Sequence, residues 1–247
     1  MKIQKILISQ KQPSNMSQYS AIEERFGVKL DFHPFFLIEP LTSREFRAQR
    51  VNFPDYTAII FSSRHAIDAY FALCEELRFK VPETMKYFCT TDMVAMYLQK
   101  HIVYRKRKIF YGDGTTASIL SQIGTKHKGE KFLITTSDTA NSSAMSAMFE
   151  KAGLDCTTAV LIKSVPQDLK ALDLHSYDII AVHNPYDIQA LKENYPDFEQ
   201  KDIKFISFGK SIVKAMDEAN LTSVLQAPTP EAPSLSKAIE LYLSQNC

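Results

Sequence analysis

Between Thr57 and Leu77 the hydrophobic period changes within a few residues, and that change constrains the fold more than any other stretch of the chain. Ala58 to Phe61 is a short apolar run of strand length. Ser62 and Ser63 are small and polar, and from Arg64 onward Ile67, Tyr70, Phe71, Cys74 and Leu77 recur at helical spacing. The order is strand, turn, helix. A buried parallel strand ending in hydroxyl residues can cap the next helix and leave several of its first backbone N–H groups free to meet an anion. In an open α/β sheet, ligands bind at this edge.

The same pattern recurs. Lys86 to Cys89 reads as a strand, followed by Thr90, Thr91 and Asp92 and a helix with Met93, Met96 and Tyr97 inward. Lys131 to Ile134 leads through Thr135-Thr136-Ser137-Asp138 to a helical stripe of Met145, Met148, Phe149 and Ala152 that Gly153 ends. Asp178 to Val182 ends in His183-Asn184-Pro185 before Ile188 and Leu191. Lys204 to Phe208 ends in Gly209-Lys210-Ser211 before Ile212, Val213 and Met216.

Around these units, Ile3 to Ser9 reads as a strand, and Tyr19, Ile22 and Phe26 mark a helix ended by Gly27. Val28 to Phe36 is extended and runs on to Ile38, but Pro34 and Pro40 suit an edge or a connector. Thr42 and Glu45 have the spacing of a capping box. Ile102 to Tyr104 and Ile109 to Tyr111 are two further strand candidates, and Thr158 to Val165 is extended and β-branched. After a last strand at Val224 to Ala227, Pro228 to Pro233 is a rigid connector before a helix over Leu235 to Leu243. Strands alternating with helices predict an α/β fold of parallel sheets with covered faces. The extended segments near 35–41 and 159–165 divide the strand candidates into two sheets.

Composition narrows the partners little. A formal net charge of +1 gives no global pull on nucleic acid or a membrane, so anion recognition has to be local. The four cysteines, Cys74, Cys89, Cys156 and Cys247, are far apart and form no CxxC pair, which argues against a zinc site or a disulfide framework. The apolar part of the N-terminus is too short for a signal peptide, and no stretch approaches membrane-spanning length. The expectation is a cytoplasmic protein.

The order of motifs resembles the uroporphyrinogen-III synthase family over essentially the whole chain. The likeness is carried by Ile59 to Ser63 before a helix with Ala66 and Ile67, by Thr158 to Val165 as a connector, by Lys204 to Gly209 before a helix, and by Ala227-Pro228-Thr229-Pro230-Glu231 before the last helix. The resemblance implies two α/β domains, each a parallel sheet flanked by helices, joined by a two-stranded β-ladder. Residues 1–35 and 167–247 would form the first domain, 42–158 the second, and 36–41 with 159–166 the ladder. It implies cyclisation of hydroxymethylbilane, a linear tetrapyrrole with eight carboxylates, with inversion of the last pyrrole ring and loss of water. A monomer without metal or organic cofactor is implied, with no nucleic acid or membrane partner.

On that reading Ser62, Ser63, Arg64, Thr90, Thr91, Thr136, Ser137, His183, Asn184, Gly209, Lys210 and Ser211 are the candidate substrate-binding residues, and no catalytic residue is assigned. Helix N-termini of both domains would together hold the polyanion, each favouring a carboxylate by about 0.3–1 kcal/mol when exposed. The chain departs from the family pattern at Ile162, where a tyrosine is common, and at Met93 and Ile212, where threonines are common. A non-catalytic or diverged tetrapyrrole-binding clamp is therefore the alternative.

Each candidate also has a plainer reading. A hydroxyl after a strand can be only a helix cap, His183-Asn184-Pro185 suits a simple turn, and His65 fits a solvated first helical turn. Arg105 to Lys108 suits a solvated edge, an anion site or a partner surface. Met93, Met96, Met145 and Met148 fit a core. Lys210 opposes the helix dipole where it stands, which gives it a case as a carboxylate ligand.

Overall fold

The computed structural model describes residues 3–137 and 139–246, without the side chains of 139–143. The chain runs β1 (Lys5–Ile8), α1 (Ser17–Phe26), β2 (Lys29–Phe32), β3 (Phe36–Pro40), α2 (Ser43–Ala48), β4 (Ala58–Phe61) and α3 (Arg64–Glu76). It continues through β5 (Lys86–Cys89), α4 (Asp92–Tyr97), β6 (Ile109–Tyr111), α5 (Thr116–Ile123), β7 (Lys131–Thr136), α6 (Thr139–Lys151), β8 (Asp155–Val160) and β9 (Ile162–Pro166). The remainder is β10 (Ile179–Val182), α7 (Pro185–Asn194), β11 (Lys204–Phe208), α8 (Lys210–Glu218), β12 (Ser223–Ala227) and α9 (Leu235–Asn246).

The contacts divide the chain into two compact units, residues 1–37 with 165–247, and residues 38–164. The first holds a five-stranded sheet in the order β12-β11-β10-β1-β2, the second one in the order β6-β5-β4-β7-β8. Every described pairing within these two sheets is parallel. β3 and β9 form a separate two-stranded antiparallel sheet. The α/β class with parallel sheets is thus the one the alternation predicts, and the small two-stranded ladder is the one the family resemblance implies.

Both faces of each sheet are covered, which is why the strands read as unbroken apolar runs. In the first unit Leu7 joins a core with Ile188 and Leu191 of α7 and Ile212 and Met216 of α8. Its neighbours Ile6 and Ile8 point the other way, to Ile22 of α1 and Ala238 and Ile239 of α9. In the second unit Ile59 and Phe61 meet Ile67 and Tyr70 of α3, whereas Ala58 and Ile60 meet Ile119 of α5 and Phe149 of α6. Alternate residues serving two opposite cores is the period-2 geometry of a central strand.

Local signals fix several ends. Thr42 and Glu45 form the expected capping box on α2, and the Lys163 ammonium together with a hydrogen bond from Thr42 N–H lowers the Glu45 pKa to about 2. Gly27 ends α1 in the left-handed conformation, φ 65°, that a Cβ disfavours. The Gln49 side chain both donates to the Val160 carbonyl at 2.8 Å and accepts its N–H at 2.9 Å, satisfying the end of the edge strand β8.

Two expectations fail. Ile102 to Tyr104 is not a strand, because β6 takes the place beside β5, and Ile102 and Tyr104 pack on the core as irregular chain. Met93 and Met96 are 60% and 62% exposed. α4 has only six residues and turns Val94, Ala95 and the following Leu98 to the core, so the methionines lie on its far side. Met145 does pack against the core, but Met148 is 41% exposed.

Candidate functional site

Strand order decides where each sheet opens. From β4 the chain winds outward through β5 to β6, whereas β7 leads to β8 in the opposite direction. In the first unit β1 leads to β2 and β10 leads the other way to β11 and β12. The order reverses between β4 and β7 and between β1 and β10, and the C-terminal ends flanking such a reversal form the crevice in which open α/β sheets bind ligands.

At the second unit's reversal, Ser62 is exposed and Ser63 is the N-cap of α3, its hydroxyl accepting Ala66 N–H at 3.1 Å. Arg64 is exposed and places its guanidinium 5.5 Å from the centre of the Tyr97 ring. Tyr97 donates to Asp68 at 2.8 Å, and Asp68 also pairs with His101 at 2.7 Å. The Thr90 hydroxyl reaches the Ser62 carbonyl at 3.4 Å, and Thr91 caps α4 by accepting Val94 N–H at 3.3 Å. From the β7 side, Thr136 is buried at the strand end and Ser137 is half-buried. Asp138 lies outside the described residues.

At the first unit's reversal the ends are Ser9 and His183. Asn184 caps α7 by accepting Tyr186 N–H at 3.1 Å, and Pro185 occupies the first turn, where its missing N–H costs nothing. Asp187 is fully buried, and its Oδ2 accepts the N–H groups of His183 at 2.8 Å and Asn184 at 3.0 Å. The next turn lies alongside. Gly209 has φ 108°, and a Cβ there would stand 3.9 Å from the His183 carbonyl. Gly209 offers no side-chain cap to α8, so its first N–H groups keep their capacity for an acceptor, and Lys210 and Ser211 are exposed beside them.

The candidates therefore fall into two groups. Ser62, Ser63, Arg64, Thr90, Thr91, Thr136 and Ser137 share one edge of the second sheet, while His183, Asn184, Gly209, Lys210 and Ser211 share one edge of the first. Ser63, Thr91 and Asn184 spend their side chains on caps; Ser62, His183 and Lys210 do not. Sequence reasoning missed Ser9 and Asp187. Ser9 carried a signal, a hydroxyl at the end of a strand, and Asp187 stands three residues after Asn184, the capping-box spacing. Of the three departures, Ile162 and Ile212 are buried in the cores and Met93 is exposed.

The family model of uroporphyrinogen-III synthase HemD matches residues 17–237. The chain belongs to the uroporphyrinogen-III synthase family. As a synthase of that family it is a lyase of porphyrin biosynthesis that cyclises hydroxymethylbilane, inverting the last ring and releasing water. The synthase fold is shared with the crystal structure of uroporphyrinogen-III synthetase from Helicobacter pylori, at TM-score 0.63 and 16% identity over 99% of this chain and 100% of that one. It is shared likewise with a mutant uroporphyrinogen III synthase from the extremely thermophilic bacterium Thermus thermophilus, at TM-score 0.58 and 13% identity over 99% and 100%. No curated protein sequence gives a significant match. Among the described residues no helix is long and apolar enough to cross a membrane.

Proposed function

We propose that this synthase binds the carboxylates of hydroxymethylbilane at the two strand-order reversals. Ser62, Ser63, Arg64, Thr90, Thr91, Thr136 and Ser137 would serve at one, and His183, Asn184, Gly209, Lys210 and Ser211 at the other. The observation that carries the reading is topological: Ser62, Ser63, Thr136 and Ser137 stand at the strand ends flanking the β4/β7 reversal and His183 and Asn184 at one flanking β1/β10, with Thr90, Thr91 and the uncapped helix start at Gly209, Lys210 and Ser211 one strand further out. The domains would be residues 1–35 with 167–247 and residues 42–158, with 36–41 and 159–166 as the connecting ladder. The protein acts as a cytoplasmic monomer in this reading.

The chemistry asks chiefly for positioning. The hydroxyl of the substrate's hydroxymethyl group leaves readily as water, and the enzyme has to hold the chain so that the correct carbon of the last ring attacks the methylene left behind. Orientation of this kind can supply several kcal/mol, within a range that reaches about 7–11 kcal/mol in the best intramolecular cases. Freshly prepared hydroxymethylbilane should give the type III isomer with this protein and the type I isomer without it, resolved by chromatography of the oxidised products. Folded protein yielding type I alone, while uroporphyrin still quenches its tyrosine fluorescence, would instead identify a non-catalytic clamp.

A further inference from the structure

Where β1 and β10 end, Asp187 does more than cap a helix. Its Oδ2 takes the backbone N–H of Asn184, as a capping box requires, and also that of His183 before it. The same oxygen also receives the Ser9 hydroxyl at 2.8 Å and stands 3.0 Å from His183 Nδ1. Neither side-chain contact serves the cap. Oδ1 is buried and has no hydrogen-bond partner among the described residues. An amide at this helix position would accept the same backbone donors, so a buried carboxylate here answers to the imidazole and the hydroxyl.

The geometry also says what the cluster does not do. Ser9 gives its hydrogen to the carboxylate, so its oxygen is left to accept, and the hydrogen between it and the ring sits on Nδ1. Ser9 Oγ is 3.2 Å from that same Nδ1. A nucleophilic Ser–His–Asp arrangement needs the serine at Nε2 and the acid at Nδ1. Here both occupy one edge of the ring, so the serine is not activated and the imidazole is clamped. The Phe36 ring lies 6.1 Å away at 21° to the imidazole plane and restricts its rotation further. Nε2 has no protein partner among the described residues, and the side chain is 26% exposed.

We infer that Asp187 and Ser9 are positioning residues that hold His183 with Nδ1 inward, so that Nε2 meets an oxygen of the tetrapyrrole substrate. The inference rests on the reading that the β1/β10 reversal faces substrate. Behind a metal-ligating imidazole a carboxylate partner fixes tautomer and orientation, and losing it typically costs about 10–100-fold; the lower end of that range is the expectation for an imidazole that meets a substrate oxygen.

The test is a double-mutant cycle on kcat/KM for type III isomer formation, with melting temperatures measured in parallel. Asp187→Asn and His183→Ala should each lower kcat/KM on the order of tenfold, and the double variant should be no worse than His183→Ala alone. A rise in KM would place a carboxylate at Nε2, and a fall in kcat would place the leaving hydroxyl there; either supports the inference. Equal losses from Asp187→Asn with and without His183, or an unchanged kcat and KM in His183→Ala, would overturn it, since a pure cap acts on melting temperature in both backgrounds. Should Asp187→Asn not fold, Ser9→Ala runs the same cycle without touching the cap. Wild-type protein giving only type I isomer would refute the functional reading itself, whereas active wild type with additive variants refutes this inference alone.

Discussion

The Thr135 hydroxyl donates to the Ile60 carbonyl at 2.7 Å, joining the two strands between which the second sheet reverses its order. Thr135 is only 3% exposed, so water cannot replace the bond. Thr135→Val keeps the shape and deletes the donor. It should cost about 1 kcal/mol, seen as a lower urea midpoint at unchanged slope, because the surface exposed on unfolding is the same.

Ser62 and Ser63 separate binding from capping. Ser63→Ala removes the acceptor for Ala66 N–H and should destabilise by about 1 kcal/mol. Ser62→Ala touches no cap and should leave stability within about 0.5 kcal/mol, while raising KM for hydroxymethylbilane. Thermal melts set beside steady-state kinetics distinguish the two, and an unchanged KM in Ser62→Ala would remove that residue from the site.

Tyr70 is fully buried beside Cys74, and its hydroxyl has no hydrogen-bond partner of ordinary geometry among the described residues. Burial pushes its ionisation well above the ordinary tyrosine range. Tyr70→Phe deletes a buried group that gains nothing, keeps the ring contacts with Phe53, Phe61 and Phe71, and should be neutral or stabilising by up to about 1 kcal/mol. A loss above about 1 kcal/mol in urea titration would show that the hydroxyl is paired after all.

His127 supplies a pH dependence. It packs against Phe88 and Phe110 with Nδ1 unpartnered, and burial first, then Lys86 and Lys126, lower its pKa. The unfolded chain then takes up a proton that the folded chain refuses, so stability falls as pH drops below the ordinary histidine value of about 6.5 towards the lowered one. Urea midpoints from about pH 7.5 to about 5.5, a window spanning that value, should decline more steeply in wild type than in His127→Leu. Parallel slopes would assign the decline to other groups.

How much of this was legible beforehand varies with the range of the interaction. Runs such as Ala58–Phe61 and Ile179–Val182, the Thr42/Glu45 box and the Gly27 terminator act over a few residues, and there the expected elements formed. Ile102–Tyr104 has the composition of a strand but no place in a sheet, a matter of which partner β5 accepts on its outer edge. Met93 and Met96 keep helical spacing, yet with α4 so short only the face of Val94, Ala95 and Leu98 reaches the core.

By itself the sequence determined the alternation of strands and helices, and hence an α/β fold with polar groups at the strand ends, because periodicity and caps are local. Only the tertiary structure decided the strand order, and with it that β4 faces β7 and β1 faces β10. That order brings Ser9 to Asp187 across 178 residues of chain. No local pattern encodes such a contact; it exists because two buried strands pair in parallel and present their ends to the same crevice.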